Sequence, residues 1–211
     1  MTRLLSLLGF LLFFAAPALA LQPNPYDAHQ RMVIDDGGGN IVGAERPTYR
    51  YSGLALTPVA TPTDVIQIQG SATKTIRITR IRLTGVATAQ GNMPVQIVRR
   101  STAGTAGSAV LTAVTATKLD ATDPAATAVV STVGTANFTT LGTSAGVVAT
   151  DRINMAAAGT GAAPPALVFD FSAAPLRLRG VSDWIGINLN GAAVPSGGVI
   201  DWTIEAAEDN S

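Results

Sequence analysis

The side chains with the clearest chemical potential in this sequence are arginines on predicted strands. A guanidinium group forks onto phosphate or carboxylate through two parallel N–H bonds, so arginines on neighbouring strands would form a basic patch for an anionic envelope polysaccharide. Alternatively, they pair across strands with Asp170, Asp201 and Glu205, each pair contributing about 0.2–1 kcal/mol. We favour the pairing. Seven of the twelve arginines fall in such positions: Arg77, Arg80, Arg82, Arg99, Arg100, Arg177 and Arg179.

The large aromatic side chains are a second set of candidate binding groups. Tyr49 and Tyr51 lie on one side of a single predicted strand. Exposed rings of this kind stack on sugars, whereas buried ones fill a core, and we count both tyrosines as candidate surface-binding residues. Trp202 is in phase with its apolar neighbours and is predicted to be buried. Trp184 is out of phase with Ile185 and is predicted to be exposed.

Little in the sequence supports catalysis or metal binding. The chain has no cysteine and one histidine, His29, which lies in a polar, extended segment where a rigid hydrolytic triad would be hard to build. Asp35, Asp36 and Asn40 offer oxygen ligands suited to calcium, but their spacing matches no calcium motif and predicts a solvated turn.

Three acidic residues are the remaining candidates for chemistry. Asp170, Asp201 and Glu205 could be brought together by neighbouring strands, and glycosidases need two carboxylates about 5–9.5 Å apart. Their outward positions on predicted strands are ordinary, however. We therefore predict a non-enzymatic protein with no catalytic residue, no cofactor and no metal.

The N-terminus resembles an export signal. Arg3 precedes an apolar run over residues 4–16, and Pro17 and small residues follow up to Ala20. This pattern predicts a signal peptide over residues 1–20, cleaved before Leu21, with a periplasmic, extracellular or cell-surface destination. The alternative is an uncleaved membrane anchor. With 14 basic and 14 acidic residues, the chain lacks the charge that drives nucleic-acid binding.

Residues 21–48 are rich in Pro, Asp and Gly and predict an extended N-terminal arm with one turn. The short apolar pieces 32–34 and 41–42 could pair across that turn as a small hairpin. From residue 49 to 211, short alternating segments predict a strand-rich domain without helices. Residues 101–165, of which 42 are Ala, Thr, Gly or Ser, predict short strands joined by long loops, with disorder or close packing between copies as the alternatives.

The clearest strand covers residues 75–84. Ile76 and Ile78 share one face, but Ile81 and Leu83 resume out of phase with them. A β-bulge near Thr79 and Arg80 would return all four side chains to the same core. Eight to ten such strands with regular turn signals predict an all-β fold, specifically a two-sheet, jelly-roll-like β-sandwich preceded by the arm.

Several short sequences in this body resemble those of uncharacterised β-rich proteins from phages and prophage-bearing bacteria. The similarity spans roughly residues 55–205 and implies a jelly-roll-like virion or surface component, without catalytic residues. The predicted export sets this chain apart, because phage particles assemble in the cytoplasm. The matching segments are Thr61-Pro62-Thr63-Asp64-Val65-Ile66, Gly70-Ser71-Ala72-Thr73-Lys74-Thr75 with the Ile/Arg strand that follows, Arg99-Arg100-Ser101-Thr102-Ala103, Asp123-Pro124-Ala125-Ala126-Thr127-Ala128, Leu178-Arg179-Gly180 and Ile187-Asn188-Leu189-Asn190-Gly191.

These features together predict an exported structural or assembly protein. It would associate with itself as a closed cyclic oligomer, because small side chains, near-zero net charge and open sheet edges all favour contact between copies. A phage particle, a cell-surface component or a glycan is a further possible partner, and nucleic acid is not expected. The alternative function is a carbohydrate-binding module or adhesin.

Overall fold

The computed structural model describes residues 34–35, 41–42, 46–134, 136–159 and 165–210. The chain divides into two compact units, residues 1–44 and 45–211. In the first, β1 (Ile34–Asp35) pairs antiparallel with β2 (Ile41–Val42), with Ile34 opposite Val42, which confirms the pairing predicted across the arm's turn. The predicted signal peptide, the cleavage site, His29 and the side chains of the calcium candidates lie outside the described residues.

The described residues of the second unit form twelve strands. No helix occurs among the described residues, so the all-β prediction is confirmed, and no helix there is long and apolar enough to cross a membrane. The strands are β3 (Thr48–Leu56), β4 (Asp64–Gln69), β5 (Lys74–Ala87), β6 (Gly91–Arg100), β7 (Val110–Val114), β8 (Thr117–Lys118), β9 (Val129–Gly134), β10 (Ser144–Ala157), β11 (Leu167–Asp170), β12 (Leu176–Arg179), β13 (Trp184–Asn188) and β14 (Val199–Asn210).

All twelve strands belong to one curled sheet. Ten follow each other in the order β7-β9-β4-β13-β6-β10-β5-β14-β3-β8, and β11 and β12 also pair with β5. The predicted division into two sheets of a jelly-roll sandwich is not confirmed. The reason lies in the length of β10. It pairs antiparallel with β6 over residues 144–155 and parallel with β5 through residues 155–157. Hydrogen bonds therefore continue from the half of the sheet that ends at β6 to the half that begins at β5.

Strand β5 organises the second half of the sheet. One edge pairs with β14 along residues 74–86, and the other edge pairs in turn with β12, β11 and the end of β10. Arg80 lies opposite Glu205 and Ile78 opposite Ala206, which leaves Thr79 as an extra residue. The predicted bulge is therefore confirmed, and Ile76, Ile78, Ile81 and Leu83 are all buried.

The hydrophobic core draws side chains from both halves of the sheet. Ile66 and Ile68 of β4, Ile187 of β13, and Ile78 and Ile204 of β5 and β14 belong to one cluster. Trp202 is buried, as predicted, and Trp184 is partly buried. The described residues of the small-residue region 101–165 form β7 to β10 with intervening loops, which confirms the strand-and-loop prediction for them, although β10 is much longer than expected.

Candidate binding face

The outer face of β3, β14, β5, β11 and β12 carries most of the arginines predicted as a patch. Alternation along β5 buries its isoleucines and turns Arg77, Arg80 and Arg82 outward. Arg177 and Arg179 lie on the exposed side of β12. Register places Arg177 directly opposite Arg77, so the fold brings at least these two guanidinium groups onto neighbouring strands.

A row of alternating charges crosses the middle of this face. Arg50 Nη2 donates to Glu205 Oε1 over 2.7 Å, and Arg80 approaches Glu205 and Asp170 with N···O distances of 3.7 and 3.5 Å. The Ser172 hydroxyl and amide both donate to Asp170 and lower its pKa, and Arg80 adds to that effect. Cross-strand pairing is thus confirmed for Arg80, and it holds two of the candidate catalytic carboxylates.

Asp201 does not join this row. Its Oδ1 accepts a hydrogen bond of 2.7 Å from the amide of Ala55. Two further arginines pair with carboxylates outside the predicted set, Arg77 with Asp209 and Arg99 with Asp183. Within the described part of the chain, Arg82, Arg177 and Arg179 form no ion pair.

Arg100 is not a surface residue, so its assignment to the patch is wrong. It is buried and forks onto Asp64, with Nε–Oδ2 at 2.9 Å and Nη2–Oδ1 at 2.8 Å. Asn188 Nδ2 and Gln67 Nε2 also donate to Asp64, so its carboxylate accepts four hydrogen bonds. Gly186 makes room for this network, because a Cβ there would lie 2.7 Å from Asp64 Oδ2.

The prediction that Tyr49 and Tyr51 are surface-binding residues is also wrong, because both are buried. Their hydroxyls donate to the carbonyls of Pro124 and Ala128 over 3.0 and 3.2 Å. Burial, with a further contribution from the Glu208 carboxylate, raises the pKa of both phenols. Alternation on β3 therefore presents Arg50 and Ser52 to solvent instead of the aromatic rings.

Sequence reasoning missed a buried carboxylate beneath this face. Glu208 accepts hydrogen bonds from the Thr127 amide and hydroxyl, each 2.8 Å long, and from the Ala128 amide at 3.0 Å. It anchors the segment that also receives the tyrosine hydroxyls. Its phase with Ile204 and Ala206 along β14 was the available signal, because that alternation predicts an inward position for Glu208.

Two grooves lie toward opposite ends of β5. One, of about 400 Å³, is lined by Lys74, Arg77, Arg179 and Asp209 together with small residues. The other, of about 770 Å³, is lined by Arg82, Asp201 and Trp202 together with hydroxyl-bearing side chains. In the described part of the chain, no group of three or more acidic or histidine side chains could hold a metal ion.

Comparisons with known proteins place no further constraint on this face. No protein-family model, curated protein or solved structure matches the chain. The geometry of the described residues is therefore the basis for a functional proposal.

Proposed function

We propose that this chain is a non-enzymatic, exported structural protein that assembles with copies of itself or decorates a particle or cell surface. The observation that carries the proposal is the state of β10 over residues 144–152. On one edge this stretch pairs with β6, and on the other it pairs with no described strand. Unpaired N–H and C=O groups along such an edge can pair with another chain.

The side chains of the same stretch support contact with a partner. Side chains on both faces of residues 144–152 are exposed or only partly buried, including Val147 at 54% and Val148 at 40% of their full exposure. Two neighbouring exposed valines on one edge strand would gain from removal from water on association. A second chain laid along this edge would cover both the backbone groups and the valines.

A second copy is the partner that this edge fits best. The register against β6 shifts at two points, between Ser144 and Gly146 and between Val147 and Ala149. Asp151 lies opposite the buried Val95. Bulges and charges of this kind discourage pairing with an arbitrary strand. Another copy carries the same irregularities and can match them about a two-fold axis, the commonest symmetry of soluble oligomers.

We further propose that the curled sheet works as a jelly-roll-like body in this assembly. Its two halves share one core. The hydroxyls of Tyr49 and Tyr51 on β3 donate to carbonyls of the segment before β9. The predicted N-terminal arm would lie across a neighbouring subunit, except for its last residues 46–48, which bond to the strand-rich unit. Export rests on the predicted signal peptide, and the particle or surface partner rests on the resemblance to phage-associated proteins.

Light scattering of the protein starting at Leu21 tests this proposal. We expect an oligomer at micromolar concentration and a lower mass for Val147→Lys with Val148→Lys, because the charges would have to be buried in the interface. Val181→Lys is the matched control, since Val181 is 52% exposed and lies outside β10. A single-subunit mass for the unmodified protein would contradict the proposal.

The alternative function is carbohydrate binding, and the two tyrosines predicted to stack on sugars are buried. The groove at the Arg82 end of β5 is a specific observation in its favour. That site does not involve β10, so it neither requires nor excludes self-association.

A further inference from the structure

The groove at the Arg82 end of β5 is shaped by an irregularity in β3. Trp202 lies opposite Gly53 and Ile200 opposite Leu56, so Leu54 and Ala55 together face Asp201. Ala55 has a φ of 53°, which a residue with a side chain rarely adopts, and its amide donates to Asp201 Oδ1. The bulge holds Leu54 at 85% exposure beside the groove. Bulges that re-aim side chains are common next to binding sites.

Apart from Asp201, whose Oδ1 accepts from the Ala55 amide, the polar side chains lining this groove lack partners in the described part of the protein. Arg82 forms neither an ion pair nor a hydrogen bond there, in contrast to Arg80 two residues earlier. The hydroxyls of Ser52, Thr84 and Thr203 are likewise without hydrogen bonds to described residues. Arg82 and Asp201 lie on adjacent strands, opposite Thr203 and Thr84 respectively, so opposite charges face the same groove without pairing.

Trp202 adds a donor that is almost enclosed. The residue is 3% exposed and lines the groove, yet its Nε1–H donates to no described residue. The nitrogen itself is not fully buried, so it still reaches solvent and is open to a ligand in the groove. Gly53 keeps this donor open, because a Cβ at that position would lie 2.7 Å from Nε1.

We propose that this groove binds a sugar residue that carries a carboxylate, as in an acidic polysaccharide. Arg82 takes the carboxylate in a charge-assisted fork. Asp201 Oδ2, the three hydroxyls and the indole N–H pair with sugar hydroxyls, which both donate and accept. Leu54 packs on the C–H face of the ring. The groove volume of about 770 Å³ is within the range of small-ligand sites.

The same residues disfavour a nucleic-acid strand. Asp201 can accept hydrogen bonds from the hydroxyls of a sugar, whereas the phosphates of a nucleic-acid backbone offer it no donor. The groove also offers no exposed ring on which a base could stack, since its one aromatic residue is buried. The proposal thus separates an acidic sugar from a polyanion of another class.

Tryptophan fluorescence provides the test. In a Trp184→Phe background the only remaining tryptophan is Trp202, which lines the groove. We expect a saturable fluorescence change with a galacturonic acid tetramer, a weaker one with the monomer, and none with maltotetraose or a DNA oligonucleotide. No saturable change with the tetramer up to about 10 mM, or an equal response to maltotetraose or DNA, would overturn the proposal.

Variants locate the response in the groove. Arg82 is exposed, so the Arg82→Gln variant should fold normally. We expect this variant to bind the tetramer at least about tenfold more weakly, because the charge-assisted bond is lost. Gly53→Ala should weaken it as well, by covering the indole N–H. Arg179→Gln, an exposed unpaired arginine near the other end of β5, is the control and should bind normally. Equal affinity in Arg82→Gln and the control would contradict the assignment.

Discussion

Arg100 and Asp64 illustrate how one arginine of the predicted patch serves the fold. Both charges are buried, and the Asp64 carboxylate accepts hydrogen bonds from Arg100, Asn188 and Gln67. Removing one partner of such a pair leaves the other charge buried in the protein interior without an opposite charge beside it. The pair therefore makes stability at this point of the sheet depend on both residues.

Asp64→Ala should lower the free energy of unfolding by about 3–5 kcal/mol, because Arg100 would stay buried and unpaired. Urea denaturation followed by circular dichroism measures the loss. Asp170→Ala, which removes an exposed carboxylate paired with Arg80, is the control and should cost less than about 1 kcal/mol. Similar losses in the two variants would contradict the buried network.

Tyr51 should make stability fall at high pH. Its pKa in the folded protein is raised above the ordinary value of about 10. Above that ordinary value the unfolded chain loses a proton that the folded chain keeps, so the free energy of unfolding decreases as pH rises. Tyr51→Phe should cost about 1 kcal/mol at neutral pH and flatten this decrease. Denaturation series from pH 8 to 11 give both slopes, and identical slopes would refute the assignment.

At the scale of single residues, sequence alternation predicts which side of a strand a side chain occupies, but not what covers that side. Arg80 and Trp202 were placed correctly, because their immediate neighbours in sequence determine their face. Tyr49 and Arg100 were misplaced, because the groups that bury them come from residues distant in sequence, Pro124 and Asp64. The groove at Arg82 was missed for the same reason, since it combines β3, β5 and β14.

At the scale of elements, Glu208 ties β14 to the segment before β9. It accepts three hydrogen bonds from Thr127 and Ala128. The Tyr51 hydroxyl donates to a carbonyl of the same segment, so both side chains hold it. Loss of the carboxylate would leave two amides and a hydroxyl without their acceptor.

Glu208→Ala should therefore speed hydrogen exchange at the amides of Thr127 and Ala128, because local opening of the segment becomes easier. Exchange followed by NMR resolves the individual amides. Glu205→Ala is a matched control on the same strand, since Glu205 pairs with Arg50 and Arg80 on the outer face. Unchanged exchange at residues 127 and 128 in Glu208→Ala would count against an anchoring role.

Strands were easier to predict than their order in the sheet. The bulge at Thr79 follows from local phase alone, because four apolar residues must reach one core. The pairing of β10 with both β6 and β5 depends on contacts between residues 44 to 70 positions apart, which no local pattern encodes. This pairing is also what replaces two predicted sheets by one curled sheet.

At the scale of the whole molecule, the open edge of β10 is the feature that most needs a partner. Neighbouring copies would meet with little long-range repulsion, because the chain's 14 basic and 14 acidic residues balance. The edge would be covered by the same edge of a second copy. Acidic-sugar binding at the Arg82 groove would then be repeated once per subunit, which strengthens attachment to a polymer through multivalency.

Hydrogen exchange across residues 144–152 at different protein concentrations tests this account most directly. The amides of this stretch that face away from β6 have no described strand to protect them within one subunit. If a second copy covers the edge, their exchange should slow as concentration rises from about 1 to about 100 μM, while amides of the central strand β5 stay unchanged. Exchange at residues 144–152 that is equally fast at every concentration would contradict assembly through β10.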